Sequence, residues 1–126
     1  MHVLDASAML AVVYGEPGAD EVTDRIGSSV ILSLNFAEVL QKSANAGRDP
    51  QRVADLLRRM SLGVVPFDHV LATESAALWP LTRAQGLSLA DRGCLALAGA
   101  MGAVAVAADT NWTRLAIPSV AVHLIR

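Results

Sequence analysis

Five short apolar runs punctuate this chain, and a helix-length stretch separates each from most of its neighbours. His2-Val3-Leu4, Val30-Ile31-Leu32, Gly63-Val64-Val65-Pro66, Ala103 to Ala108 and Ala121 to Ile125 all read as strands. Strands alternating with helices of ten or more residues indicate a mainly parallel sheet covered on both faces. The expectation is an α/β fold, a three-layer α/β/α sandwich with a mainly parallel central sheet. At 126 residues, without a linker or repeat to divide it, residues 1–126 are expected to form one domain.

The intervening stretches carry helix punctuation. Ala6 to Tyr14 is Ala-rich and is closed by Gly15 and Pro17, and a second helix is expected from Gly18 to Ile26, stopping at Gly27. Ser33 is the expected cap of a helix reaching about Ala46. Asp49 and Pro50 look like an N-cap and a first helical residue. The helix after them places Val53, Leu56, Leu57 and Met60 on one face, with Arg52, Asp55, Arg58 and Arg59 largely outside. Asp68 opens a helix expected to run through Trp79, with Pro80 disturbing its end. Ser88 to Met101 is the next, ended by Gly102, and Thr110 to Leu115 allows one or two turns.

Four acids stand where an apolar strand gives way to a helix or within a helix's first turns: Asp5, Glu38, Asp91 and Asp109. In open α/β sheets the carboxyl ends of the strands border the ligand crevice. Carboxylates gathered there repel one another unless a cation joins them, and a hard divalent ion prefers oxygen ligands. Each acid also has a plainer reading. Asp5 and Asp109 can be helix N-caps. Ser88-Leu89-Ala90-Asp91 has the form of a capping box, and Asn35-Phe36-Ala37-Glu38 can be read the same way. Glu38 can also pair with Lys42 one turn on, as a surface pair. Two features favour a shared site. Asp5 and Asp109 end uncharged strands, and Glu38 is the single charge between Val30 and Leu40. Glu16, Asp20, Glu21, Asp24, Asp49 and Asp55 lie in polar surroundings and read as solvated.

Composition narrows the function classes. A net charge of −2 argues against a constitutively basic nucleic-acid coat, yet nine of the ten basic residues are Arg, the side chain best shaped to grip phosphate. The apolar fraction of 53% supplies a large core and implies surface covered by a partner or a second copy. The lone Cys94 excludes an intramolecular disulfide and reads as a small buried hydrophobe. The longest uncharged apolar run, Cys94 to Ala108, is 15 residues and holds two glycines. That is short of the roughly 20 needed to span a membrane. With no basic leader at the N-terminus, a cytoplasmic location is expected. Trp79 and Trp112 are both flanked by apolar residues, and core packing outweighs base stacking for them. His2, His69 and His123 are scattered and offer no metal spacing.

The local wording Leu4-Asp5-Ala6-Ser7-Ala8, Ala37-Glu38-Val39, Leu87 to Ala98 around Leu89-Ala90-Asp91-Arg92, and Ala108-Asp109-Thr110-Asn111-Trp112 resembles PIN-domain ribonucleases. Within that family the chain looks most like the VapC toxins of type II toxin–antitoxin pairs. The resemblance implies an endoribonuclease with a carboxylate-bound Mg²⁺ or Mn²⁺. It implies Asp5, Glu38, Asp91 and Asp109 as catalytic and metal-binding acids, with Ser7 assisting beside Asp5. Arg92 and Asn111 are further candidates for support. It also implies a cognate antitoxin and a homodimer. Ala107 stands where the family often carries Thr, and Gly93 where it often carries Ala.

The chemistry stands on its own terms. Attack on an anionic phosphodiester needs the repulsion screened and a water made more acidic, both of which a held metal ion supplies. Asp5, Asp91 and Asp109 are expected to hold the main ion, with Glu38 at a second position or orienting water. Arg92 and Arg114 follow site acids closely and are candidates for the RNA backbone. Single-stranded or looped RNA is the expected target, since its bases can splay. A phosphatase reading lacks a second Asp at position 7, and a phosphorelay receiver lacks an adjacent acidic pair and a Lys near the last strand. A nucleophilic Ser has no elbow motif to support it. Two readings stay beside the toxin: a housekeeping RNA-processing nuclease, and a catalytically silent fold that binds RNA or acts as a scaffold.

Overall fold

The computed structural model describes Met1 to Arg126. Five strands form one sheet: β1 (His2–Leu4), β2 (Ser29–Leu32), β3 (Gly63–Val65), β4 (Val104–Ala107) and β5 (Ala121–Leu124). Their order across the sheet is β3-β2-β1-β4-β5, and every neighbouring pair is parallel. Chain order therefore reverses direction at β1 and β4, whose carboxyl ends lie side by side.

The helices are α1 (Ala6–Tyr14), α2 (Ala19–Arg25), α3 (Ser33–Asn45), α4 (Pro50–Arg59), α5 (His69–Ala77), α6 (Trp79–Thr82) and α7 (Leu89–Met101). Tight 3₁₀ turns at Ile26–Ser28, Arg83–Gln85 and Thr110–Arg114 complete the chain. Successive strand residues point to opposite faces, which sorts the core into two halves. Leu4, Ile31 and Val106 pack with α1 and with Val39, Val53 and Leu57 of α3 and α4. Val3, Leu32, Ala105 and Ala107 pack with α7, Leu71 of α5 and the fully buried Trp112. The central strands β1, β2 and β4 are largely buried on both sides and so read as apolar runs, while the edge strands β3 and β5 are partly exposed. Cys94 is buried in the second half, and burial pushes its thiol well up from the ordinary range.

Helix ends follow the expected chemistry in most places. Asp49 accepts from Gln51 N at 2.9 Å and Asp68 from Leu71 N at 2.9 Å. Gly102 takes the left-handed conformation at φ 60°, and its N–H returns to the last turn of α7. Gly93 has a different reason. A Cβ there would lie 2.7 Å from Leu32 Cδ2, so its missing side chain lets α7 sit down on β2.

Four expectations need correction. Ser33 is the first residue of α3 rather than its cap, and its hydroxyl accepts from Phe67 N at 2.9 Å. Asn35, in the first turn of α3, likewise caps nothing, since its amide is turned to partners outside the helix. Leu56 is 42% exposed although it shares a helical stripe with buried Val53 and Leu57, because the layer beneath α4 reaches only part of that stripe. Trp79 is 49% exposed and lies under the Arg83 guanidinium, 5.2 Å from the ring centroid. The helix expected to run through Trp79 stops at Ala77, and Pro80 opens α6 in its first turn.

Candidate active site

The site is built at the carboxyl ends of β1 and β4. Asp5 follows β1 directly, and its backbone N–H continues the ladder to Val106 O at 2.8 Å. Its side chain caps α1 by accepting from Ser7 N at 3.0 Å. The plain capping reading is therefore correct for Asp5, but it does not exhaust the residue. Asp5 is buried, and Ser7 Oγ donates to the same Oδ2 at 2.6 Å. That hydroxyl in turn accepts from Ala108 N at 2.9 Å, which ties the exit of β1 to the exit of β4.

Asp5 Oδ1 is bound by a residue that the motifs do not single out. Asn35 has no exposed surface, and its Nδ2 donates to Asp5 Oδ1 at 3.2 Å and to Ala90 O at 3.0 Å. Its Oδ1 is buried with no partner. Asn35 thus joins α3, the β1 exit and the first turn of α7. The signal for it was available: Asn35 and Glu38 are three apart and share one face of a helix.

Asp91 makes the capping box: Ser88 N donates to its Oδ2 at 2.9 Å, and Asp91 N donates to Ser88 Oγ at 3.2 Å. Asp109 caps the turn Thr110–Arg114, with Oδ1 accepting from Asn111 N at 2.9 Å. Glu38 Oε1 pairs with Lys42 Nζ at 3.1 Å, while Glu38 Oε2 is buried and unpartnered. Each of these three acids thus has one oxygen tied by the chain. Asp91 Oδ1, Asp109 Oδ2 and Glu38 Oε2 accept nothing from it.

The four acids share one electrostatic neighbourhood. Burial raises Asp5 to about 7, and the charges of Asp91 and Glu38 push the same way against the bonds from Ser7. Asp91 is also raised, first by burial; Ser88 opposes the shift, and Glu38 and Asp109 add to it. The Lys42 ammonium is held charged beyond its ordinary range by Glu38, with help from Asp5 and Asp91. No basic side chain is bonded to Asp5.

These residues suit a hard divalent cation in chemistry, since every donor is an oxygen and two buried ones lack partners. The side chains do not form a finished cage, for no three acidic, His or Cys groups are drawn together tightly enough to hold an ion outright. Mg²⁺ keeps several waters and takes only one or two carboxylates directly, so a set of this kind fits it.

The supporting candidates lie at the edge of the site. Asn111 contributes its backbone N–H, and its side chain is exposed. Arg92 Nη1 donates to Leu87 O at 3.0 Å, its Nε is buried without a partner, and it forms no ion pair with the acids. Arg114 is exposed at the end of the last 3₁₀ turn. No helix is long and apolar enough to cross a membrane.

Comparison with known proteins gives a consistent picture. The family model for the PIN domain matches residues 2–118. No curated protein matches the chain. A toxin–antitoxin complex from Klebsiella pneumoniae aligns at TM-score 0.75 and 18% identity, covering 95% of both chains. VapBC2 from Rickettsia felis, solved with a fragment of its promoter DNA, aligns at TM-score 0.75 and 14% identity, over 98% of this chain and 97% of that one. FitAcB from Neisseria gonorrhoeae aligns at TM-score 0.70 and 19% identity, covering 99% and 98%.

Proposed function

Since the chain belongs to the PIN domain family, we propose that it is a metal-dependent endoribonuclease and the toxin of a toxin–antitoxin pair. The observation that carries the nuclease reading is Asp5, a buried carboxylate at the β1–β4 junction. Two further acids repel it, and no basic side chain is bonded to it, Lys42 being paired with Glu38 instead. A buried ionised carboxylate is costly unless it is paired or binds metal.

Asp5, Asp91 and Asp109 would hold the ion, with Glu38 at a second position or orienting water. A divalent cation there supplies charge neutralisation for the phosphate and a more acidic water. The chain's own part is positioning. Ser7 and Asn35 fix both oxygens of Asp5, and the capping box fixes Asp91 while leaving Oδ1 available. Burial of Asp5 excludes bulk water from the centre and strengthens every charge interaction made there.

The toxin reading is supported by the company the fold keeps, since the similar structure from Klebsiella pneumoniae is a toxin–antitoxin complex. An antitoxin needs an apolar seat, and one is available. A cleft between α5 and α7, closed by Ile117, Pro118, Ser119 and Val120, is lined mainly by apolar residues. A homodimer would account for further exposed side chains such as Val70, Leu81 and Leu89.

A second reading, RNA binding without cleavage, is favoured by the Glu38–Lys42 pair, which ties up one carboxylate oxygen of the set. One assay separates the two. Purified protein is incubated with single-stranded RNA and Mg²⁺ or Mn²⁺, with and without chelator, beside Asp5→Asn. Cleavage abolished by chelator and by the substitution supports the nuclease. RNA retained intact by wild-type protein in either metal rejects it.

A further inference from the structure

Beside the acids lies a cleft of opposite charge. The turns Arg83–Gln85 and Thr110–Arg114 meet and enclose a cleft of about 420 Å³ lined by Ala84, Gln85, Thr110, Asn111, Thr113 and Arg114. Ligand cavities commonly run from roughly 300 to 1,000 Å³. Only Ala84 is apolar, none of the six is acidic, and Arg114 makes the lining positive. The cleft starts within one hydrogen bond of the site, because Asn111 N binds Asp109 Oδ1 at 2.9 Å.

We infer that this cleft is a nucleotide subsite, seating one base and its phosphate of single-stranded RNA next to the bond that is cut. The inference rests on the nuclease reading and deepens it. Gln85 and Asn111 each present an amide, donor and acceptor side by side, which matches the edge of an unpaired base. Gln85 Oε1 is buried without a partner, so it gains by turning toward a base amino group. The Thr110 hydroxyl suits a ribose or phosphate oxygen, the Thr113 hydroxyl, which donates to Thr110 O at 2.7 Å, can accept from a ribose hydroxyl, and the Arg114 guanidinium suits phosphate. The apolar cleft between α5 and α7 offers no amide or guanidinium side chain, only the Ser119 hydroxyl and the Glu74 carboxylate. The polar cleft would therefore read sequence, while the acids do the chemistry.

The test uses full-length protein with Mg²⁺ or Mn²⁺ and a randomised single-stranded RNA pool whose cut ends are sequenced. KM and kcat are measured alongside on one cleaved oligonucleotide. Gln85→Ala and Asn111→Ala are expected to flatten base preference at one position next to the cut and to raise KM about tenfold, with kcat within about threefold. Arg114→Ala is expected to raise KM evenly across sequences and to lower its salt dependence. Should Gln85→Ala melt far below wild type, Gln85→Glu keeps the volume and must still weaken RNA binding by adding a negative charge. Wild-type KM and cut-site profile in all folded variants would overturn the subsite while leaving the nuclease standing. Wild-type protein that cuts no RNA in either metal would overturn both. Variants that lose a protein partner yet keep the RNA profile would reassign the cleft to protein docking.

Discussion

Asn35 Nδ2 lies 3.2 Å from Asp5 Oδ1 and 3.0 Å from the carbonyl of Ala90, so one buried amide spans the gap between the β1 exit and the first turn of α7. Asp91 is the residue after Ala90. The distance between two of the site's carboxylates is thus set by a neutral side chain that carries no charge of its own.

Asn35→Ala removes both bonds and leaves a buried carboxylate and a carbonyl short of donors. Hydrogen bonds to charged groups are worth about 1.5–3 kcal/mol each, so a loss of about 2 kcal/mol is expected in thermal or urea unfolding. Cleavage should fall further than stability does. A kcat reduced by at least about tenfold, with KM little changed, is the expected signature of a displaced Asp5. Wild-type kcat in a folded Asn35→Ala protein would show that Asp5 holds its place without the amide.

Asp5→Asn should abolish cleavage and stabilise the metal-free fold. The Asp5 carboxyl is raised from 3.8 to about 7 on folding. Between those values the folded protein binds more protons than the unfolded chain, so its stability falls as pH rises through the window. The full penalty is present above pH 7, at most about 4 kcal/mol from a shift of roughly three units. An amide keeps the Ser7 bonds through its one oxygen without the charge; its NH2 cannot accept from Asn35 Nδ2, a loss of about 1 kcal/mol set against the larger charge penalty. In chelator, Asp5→Asn is expected to melt above wild type at pH 8, and the difference should shrink toward pH 4.5. Adding Mg²⁺ should raise the wild-type melting point and not the variant's. A variant less stable than wild type at pH 8 would mean that the charge is well accommodated by the chain alone.

Lys42 tests whether Glu38 belongs to the site or to the surface. The pair is 57% and 27% exposed, so its contribution to stability is discounted to at most about 1 kcal/mol. Lys42→Ala frees Glu38 Oε1 and removes a positive charge from the rim. Mn²⁺ affinity, followed by electron paramagnetic resonance, should increase if Glu38 faces the ion. Unchanged affinity would leave Glu38 as the partner of Lys42 and nothing more.

Much of this architecture was legible because its signals are local. Parallel strands buried on both faces appear as unbroken apolar runs, and α1 and α7 carry an N-cap and a left-handed glycine in the sequence itself. The acids were legible too, since Asp5 and Asp109 stand at strand exits. Other features depended on neighbours distant in the chain. Ser33 looked like a cap, but Phe67 N needed an acceptor and took its hydroxyl. Leu56 has the right periodicity for burial and Trp79 has apolar neighbours in sequence, yet neither signal says whether anything covers the side chain. Asn35 was read as part of a local capping pattern, whereas its partners are 30 and 55 residues away.

Gly93 is the point where fold and site meet most closely. By helix propensity alone, alanine there should stabilise α7 by about 1 kcal/mol. The structure opposes that gain, because a Cβ would lie 2.7 Å from Leu32 Cδ2, and Leu32 is fully buried in the sheet. Overpacking of this kind typically costs about 1–3 kcal/mol. Leu32 Cδ2 is the end of a flexible side chain, so Gly93→Ala is expected near neutral or destabilising by about 1 kcal/mol. The larger Gly93→Val should cost more, since a second branch cannot be absorbed by one rotamer. Two residues before Gly93 stands Asp91, and the carbonyl of Ala90 is held by Asn35, so lifting α7 off β2 also moves a carboxylate. Gly93→Val is therefore expected to lose Mn²⁺ affinity and cleavage at temperatures where circular dichroism still reports a folded chain. A valine variant with wild-type melting and wild-type Mn²⁺ affinity would show that α7 can move without disturbing the acids.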